Sequence, residues 1–202
     1  MLKIAVLASG SGSNLQSIID NIQAGKLDAQ IQLVLSDKSN AYALKRAASA
    51  GIKTCYMNPK DYDDRVSYDK ALAEEVKASG AELVVLAGFM RILNKVFLEE
   101  FNNRVINIHP ALLPSFPGLH AQDQAWAYGV KVSGCTVHFV DCGTDTGPII
   151  AQRAVPVLDT DTADDLAKRI LVEEHKIYPY IIQMIAEGKV WLINNKVKIN
   201  EA

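Results

Sequence analysis

Short apolar runs rich in β-branched residues alternate with longer amphipathic stretches through the first half of the chain. That alternation predicts parallel strands joined by helical crossovers. Strands are expected over residues 3–8 (KIAVLA), 32–36 (QLVLS), 54–57 (TCYM), 83–87 (LVVLA) and 105–109 (VINIH). The clearest helix falls within residues 62–80, where Val66, Ala73 and Val76 recur at helical spacing and Gly80 supplies a stop. Beyond a proline-rich segment come a helix near 121–129 and two β runs, 132–140 and 149–157, separated by the turn-rich DCGTDTGP. A long helix from Thr162 to Glu187 opens on the capping pattern Thr162-x-x-Asp165 and carries Pro179 as a kink, and Asn194-Asn195 marks a closing hairpin. No internal repeat, low-complexity tract or linker interrupts this order. The expected fold is therefore α/β, a single domain over residues 1–202 with three α/β/α layers. Its sheet is mostly parallel and Rossmann-like, with antiparallel strands near the C-terminal part.

Composition narrows the partners. A chain of 202 residues with 49% hydrophobic and 22% charged residues buries a substantial core and folds as an ordinary globular protein. The formal net charge of -2 provides no basic footprint for a nucleic-acid backbone. Cys55, Cys135 and Cys142 are odd in number and lack CxxC spacing, which argues against a disulfide framework or a zinc site and for a reducing compartment. No run of 18 apolar residues occurs, and IAVLA near the start is too short for a signal segment. The expectation is a cytoplasmic protein, monomer or homodimer, acting on small molecules without a metal, a membrane or nucleic acid.

Three stretches are candidates for chemistry. ASGSGSN, residues 8–14, lies between the first strand and a helix, where free N–H groups at a helix N-terminus favour phosphate. Leu15 stands where GxGxxG needs its third glycine, so a monophosphate fits better than a dinucleotide. In NIHPALLPSFPGLH, residues 107–120, Asn107 and His109 alternate with Ile106 and Ile108, which puts an amide and an imidazole on one face at the end of a strand. Such a pair suits an oxyanion developing on a carbonyl. Pro110, Pro114 and Pro117 with Gly118 stiffen the loop beside it. The third candidate is Asp145, in a glycine-bearing turn. Brought near His109, it raises the imidazole pKa and favours the protonated ring. Residues 88–93, GFMRIL, follow the fourth strand and can form core or line a slot for a flat aromatic ligand. Glu173, Glu174 and His175 lie inside a helix, where a solvated face is the ordinary outcome.

Together the motifs resemble a known family. ASGSGSNL, VVLAGFMRIL, NIHPALLPSFPGLH, HFV with DTGPII, and EEHKIYP occur in the order and spacing of the formyltetrahydrofolate-dependent formyltransferases, in the branch that acts on glycinamide ribonucleotide. The resemblance covers essentially the whole chain. It implies the formyltransferase fold and transfer of a formyl group from 10-formyltetrahydrofolate to the amine of glycinamide ribonucleotide in purine biosynthesis. It also implies catalytic roles for Asn107, His109 and Asp145. Gly12, Ser13 and Asn14 would hold the substrate phosphate, Gly88 and Pro110 would border the ribonucleotide, and Glu174 would meet its ribose or amine end. The folate would lie against Met90, Arg91, Ile92 and Leu93, with Asn107, Val140 and Asp141 around the pteridine. Arg65 would lie near the folate tail and Arg104 would serve its glutamate carboxylate. Ala111 and Thr146 depart from the residues common in relatives, serine and glycine, and are expected to alter loop packing only.

Other readings are a formyltetrahydrofolate hydrolase, a relative of methionyl-tRNA formyltransferase, or a nucleotide-binding module that reads a ribose hydroxyl through Asp37. The tRNA enzymes carry a further C-terminal domain and basic surface, the hydrolases a regulatory domain before the catalytic one, and a dinucleotide module needs the missing third glycine.

Overall fold

The computed structural model describes residues 1–200 and divides into two compact units, Met1–Asn107 and Ile108–Ala202. In the first unit, five strands alternate with four helices: β1 Leu2–Leu7, α1 Ser13–Gln23, β2 Ala29–Ser36, α2 Tyr42–Ser49, β3 Thr54–Tyr56, α3 Arg65–Ala78, β4 Leu83–Leu86, α4 Lys95–Glu100 and β5 Val105–His109. The last two residues of β5 belong to the second unit. The strand order is β3-β2-β1-β4-β5, every neighbouring pair parallel. Ile4 through Ala8 and Leu33 through Leu35 are fully buried, as are Val84 and Val85. Such runs show no polar alternation because both faces of a central parallel strand are covered.

The helices follow local rules. Asp64 accepts from the Ser67 N–H, and Ser67 reciprocates on the Asp64 N–H, so α3 starts on a capping box. Its buried face is Tyr68, Asp69, Leu72, Ala73 and Val76. Val66, expected on that face, is 51% exposed. Ala73 and Val76 are buried as expected; Val66 lies near Ala73 around the axis but in the first turn, at the edge of the stripe set by Tyr68, Leu72 and Val76, and stays exposed.

In the second unit, α5 Ala121–Tyr128 precedes β6 Val132–Phe139 and β7 Ile149–Pro156, which pair antiparallel. Parallel strands early and antiparallel strands late bear out the expected sheet. The long helix α6, Ala163–Ala186, packs on β6 and β7 and against α5. Thr162 and Asp165 form its capping box, and one helix runs uninterrupted through Pro179. Strands β8 Val190–Ile193 and β9 Lys196–Ile199 form a hairpin turned by Asn194 and Asn195, at φ 49° and 61°. Two successive left-handed residues make the tight turn that matches strand twist, and asparagine tolerates that conformation.

Candidate active site

In the first unit the loops at the carboxyl ends of β1 and β4 meet. Gly12, at φ 70°, caps α1 and accepts its first helical hydrogen bond from the Gln16 N–H. A Cβ on Gly12 would lie 2.7 Å from the Cα of Ala43 in α2, so only glycine fits between the two helices. Asn14 is buried and Ser13 half-buried. The neighbouring loop after β4 is tied to this one. The Ser9 N–H donates to the Gly88 carbonyl, and the Ser9 hydroxyl accepts from the Met90 N–H at 2.9 Å while donating to Asp37 at 2.6 Å. Asp37 is therefore buried and engaged by Ser9, which removes the support for its reading a ribose hydroxyl.

Met90 and Ile92 are exposed, whereas Leu93 is buried and offers its backbone only. The Arg91 guanidinium stacks over the Tyr68 ring at 4.7 Å, and its buried Nε has no hydrogen-bond partner. Arg65 donates to the Ile92 carbonyl, so this arginine and the Met90–Leu93 segment are neighbours. Asp69 at the base of α3 accepts from the Asn94 N–H at 2.9 Å and anchors the far end of that segment. Arg104 spans only its own helix end, donating to the Glu100 carbonyl at 3.0 Å. Asn107 is half-buried, in register with Leu86 of β4.

In the second unit His109 and Asp145 come together as expected. Nδ1 of His109 lies 3.3 Å from Oδ2 of Asp145, and Nε2 donates to the Phe116 carbonyl at 2.8 Å. Asp145 sits at φ 55°, a left-handed conformation that aspartate tolerates better than most side chains. The Gly118 N–H donates to its Oδ2 at 2.8 Å. Gly147 must be glycine for this turn to close, because a Cβ there would lie 1.8 Å from the Phe139 carbonyl oxygen. Asp141 braces the same turn, accepting from the Gly143 N–H at 3.0 Å and the Thr146 hydroxyl at 2.7 Å. Thr146, a departure from the family pattern, thus supplies a hydrogen bond of its own. Ala111, the other departure, is fully buried, and its carbonyl accepts from the Thr136 hydroxyl.

The electrostatics correct one expectation. Burial pulls the His109 pKa below its ordinary 6.5, and although Asp145 and the Phe116 carbonyl push it upward, burial is larger. The resting ring is neutral at neutral pH rather than protonated. Asp145 is held below the usual carboxylate range: burial opposes this, but the His138 side chain, the Gly118 N–H and the charge of His109 together outweigh it.

His138 of β6 is absent from the residues singled out by sequence for a role, yet its Nε2 lies 3.6 Å from Oδ1 of Asp145 and the side chain is buried. Its place in HFV was the available signal, but an inward histidine on a strand reads as ordinary core. Glu174 corrects the opposite error. It is buried on the inner face of α6 rather than solvated, near Cys135 of β6, whose thiol burial pushes up to about 12 with the Glu174 charge adding to it. Pro110 and Val140 are half-buried beside His109 and Asp141 in sequence. Among the described residues no group of three or more His, Cys, Asp or Glu is placed to hold a metal ion, and no helix is long and apolar enough to cross a membrane.

A buried imidazole–carboxylate pair in the second unit, and in the first a parallel sheet with a glycine loop after its first strand, are features of a group-transfer enzyme. The chain belongs to the formyl transferase family, whose pattern it matches over residues 2–182. It is 43% identical over 194 residues to the phosphoribosylglycinamide formyltransferase of Escherichia coli (strain K12), covering 96% of this chain and 92% of that protein. It is 47% identical over 188 residues to the trifunctional purine biosynthetic protein adenosine-3 of Drosophila melanogaster, covering 92% of this chain and spanning only 14% of that protein's length. Among solved structures, glycinamide ribonucleotide transformylase 1 from Symbiobacterium toebii superposes with a TM-score of 0.98 at 51% identity, covering 100% of this chain and 95% of that one.

Proposed function

We propose that the chain transfers the formyl group of 10-formyltetrahydrofolate to the amine of glycinamide ribonucleotide, giving formylglycinamide ribonucleotide and tetrahydrofolate in purine biosynthesis. The whole chain acts as one catalytic unit in the cytoplasm, as monomer or homodimer. The observation that carries this reading is the His109–Asp145 pair at 3.3 Å, two residues beyond Asn107 on the same strand. Support for the acceptor comes from the names of the relatives and from the Gly12 loop, whose lack of a Cβ and helix-cap position suit a phosphate.

Chemically, the free amine of the acceptor attacks the formyl carbon, and the carbonyl π electrons move onto oxygen. The Asn107 amide and the Nε2–H of His109 donate to that oxyanion, for which the hydrogen bond to the Phe116 carbonyl is given up. For this the ring takes up a second proton, from solvent, at Nδ1, and Asp145 across Nδ1 stabilises the resulting imidazolium, whose Nε2–H donates to the oxyanion. The proton lost by the amine passes to N10 of the folate, the C–N10 bond breaks, and the carbonyl reforms. Gly12, Ser13 and Asn14 hold the phosphate, Gly88, Pro110 and Glu174 border the acceptor, and Met90 and Ile92 present exposed apolar surface to the pteridine. Backbone groups of Arg91 and Leu93, with Asn107, Val140 and Asp141, complete that pocket, and Arg65 lies toward the folate tail.

The test is formyl transfer from 10-formyl-5,8-dideazafolate to glycinamide ribonucleotide, followed spectrophotometrically beside a no-acceptor control and His109→Ala. Acceptor-dependent turnover that falls about 10²- to 10³-fold in the variant is expected, the usual loss for one oxyanion donor. Turnover without acceptor would identify a hydrolase instead.

A further inference from the structure

His138 is a buried imidazole that the reaction above does not use. It lies at the end of β6, 2% exposed. Opposite Val137 and His138, β7 carries an irregularity: Val137 pairs with Ala151 but His138 pairs with Ile149, leaving Ile150 bulged. A bulge bends its strand and re-aims the side chains around it. Nδ1 of His138 lies 2.8 Å from the Phe139 carbonyl and Nε2 faces the Asp145 carboxylate, and because both of these partners only accept, both ring nitrogens carry a proton. The Nε2 edge is thereby turned to Oδ1 of Asp145, at 3.6 Å. The Asp145 carboxylate is thus shared between two imidazoles, Oδ2 toward His109 and Oδ1 toward His138, each ring steadied at its other nitrogen by a backbone carbonyl.

We infer that His138 is a positioning residue for the formyl transfer, fixing the Asp145 carboxylate so that its other oxygen faces His109. This rests on the reading of His109 and Asp145 given above. Asp145 needs such a brace. It sits in a left-handed turn conformation, 14% exposed at the side chain, and its other anchor is the Gly118 N–H, which belongs to a separate loop. The groups that face the carboxylate are His109, His138 and that N–H, and the His138 contribution is the largest of those that keep Asp145 ionised. A carboxylate free to rotate away from Nδ1 would leave the protonated His109 ring of the reacting complex without a counter-charge, so the loss falls on kcat and not on substrate binding.

The experiment is a double-mutant cycle on the full chain, with kcat, both KM values and thermal unfolding measured for wild type, His138→Phe, His138→Gln, Asp145→Asn and the two double variants. The expected result is a drop in kcat of about tenfold for His138→Phe, the equivalent of one weakened ion pair, with both KM values within about twofold. His138→Gln, which keeps a donor at that edge, recovers part of the loss. With Asp145→Asn already in place, replacing His138 changes kcat by less than about twofold, because two residues acting as one unit are not additive. Equal losses in the wild-type and Asp145→Asn backgrounds, or a folded His138→Phe with wild-type kcat, overturn the assignment. Should His138→Phe fail to fold, the His138→Gln cycle decides by the same criterion. An Asp145→Asn protein as active as wild type would instead overturn the underlying reading of the site, an outcome the cycle reports separately.

Discussion

Nε of Arg46 donates to the carbonyl oxygen of Ser11 at 2.8 Å, which binds a side chain of α2 to the residue just before the Gly12 cap. One residue earlier, the Gly10 carbonyl accepts from the Ala43 N–H at 3.1 Å. In a trans peptide the C=O and the following N–H point in opposite directions. Pinning both carbonyls on α2 therefore turns the N–H groups of Ser11 and Gly12 away from it, beside the N-terminal N–H groups of α1. Successive N–H groups aimed together make an anion-binding concavity. Nη1 of Arg46 also donates to Gln16 at 3.1 Å, and the guanidinium stacks on Tyr42 at 4.8 Å, so the arginine is held in place.

Arg46→Met is expected to raise KM for glycinamide ribonucleotide about tenfold, the scale of one charge-assisted hydrogen bond, while KM for the formyl donor and kcat stay within about twofold. Steady-state kinetics with each substrate varied in turn makes the comparison. Equal increases in both KM values would mean that the arginine supports the loops generally and does not aim the phosphate contacts.

Gly147→Ala tests whether the turn that carries Asp145 is held by close approach to β6. The added Cβ would lie 1.8 Å from the Phe139 carbonyl oxygen, a distance no side chain adopts, so the turn must move and take Asp145 from Nδ1 of His109. A loss of kcat of about 10²-fold is expected, comparable to loss of an oxyanion donor, together with a lower Tm. Thr146→Gly, which restores the residue common in relatives and removes only the hydrogen bond to Asp141, is expected to keep kcat within a few-fold. If both variants retained near-normal kcat, the close approach at Gly147 would have no part in positioning Asp145.

Much of this was readable in the chain because the signals are local. β1 and β4 carry continuous apolar runs, the cap Thr162-x-x-Asp165 marks the start of α6 correctly, and β5 forms over the VINIH run that holds Asn107 and His109. Roles that depend on packing were not readable. Spacing places Ala73 and Val76 on the buried face of α3 correctly, but it does not say how far along the helix the core reaches, and Val66 in the first turn is left exposed. Glu174 looks solvated by type, and only the inward face of α6 buries it. His138 looks like ordinary core until the β7 bulge and the Asp145 turn bring a carboxylate to it. The protonation state of His109 was misjudged for the same reason: the sign of Asp145 is visible in sequence, but the burial that outweighs it is not.

That balance at His109 also fixes how stability varies with pH. The folded-state pKa lies below the ordinary 6.5, so between these two values the unfolded chain binds a proton that the folded protein does not. Stability therefore falls as pH is lowered from about 6.5 through this window, and rises with pH across it. Asp145 acts lower down. Its folded pKa is depressed, so its contribution is fully present above the ordinary 3.8 and is lost only as pH falls through the still lower folded value. The two effects separate on the pH axis. His109→Gln, which keeps a polar side chain without a titrating proton, is expected to flatten the dependence of Tm on pH just below 6.5 and to leave the steeper fall below 3.8 in place. Asp145→Asn should do the reverse in the acid region. It should also lower the His109 pKa further, since the carboxylate is the larger of the two influences raising it. Thermal unfolding followed by circular dichroism from pH 3 to 8, beside a proton NMR titration of the His109 ring, measures both. An unchanged slope below 6.5 in His109→Gln would show that another group governs that limb, and a His109 pKa above 6.5 in the wild type would return the ring to the protonated resting state.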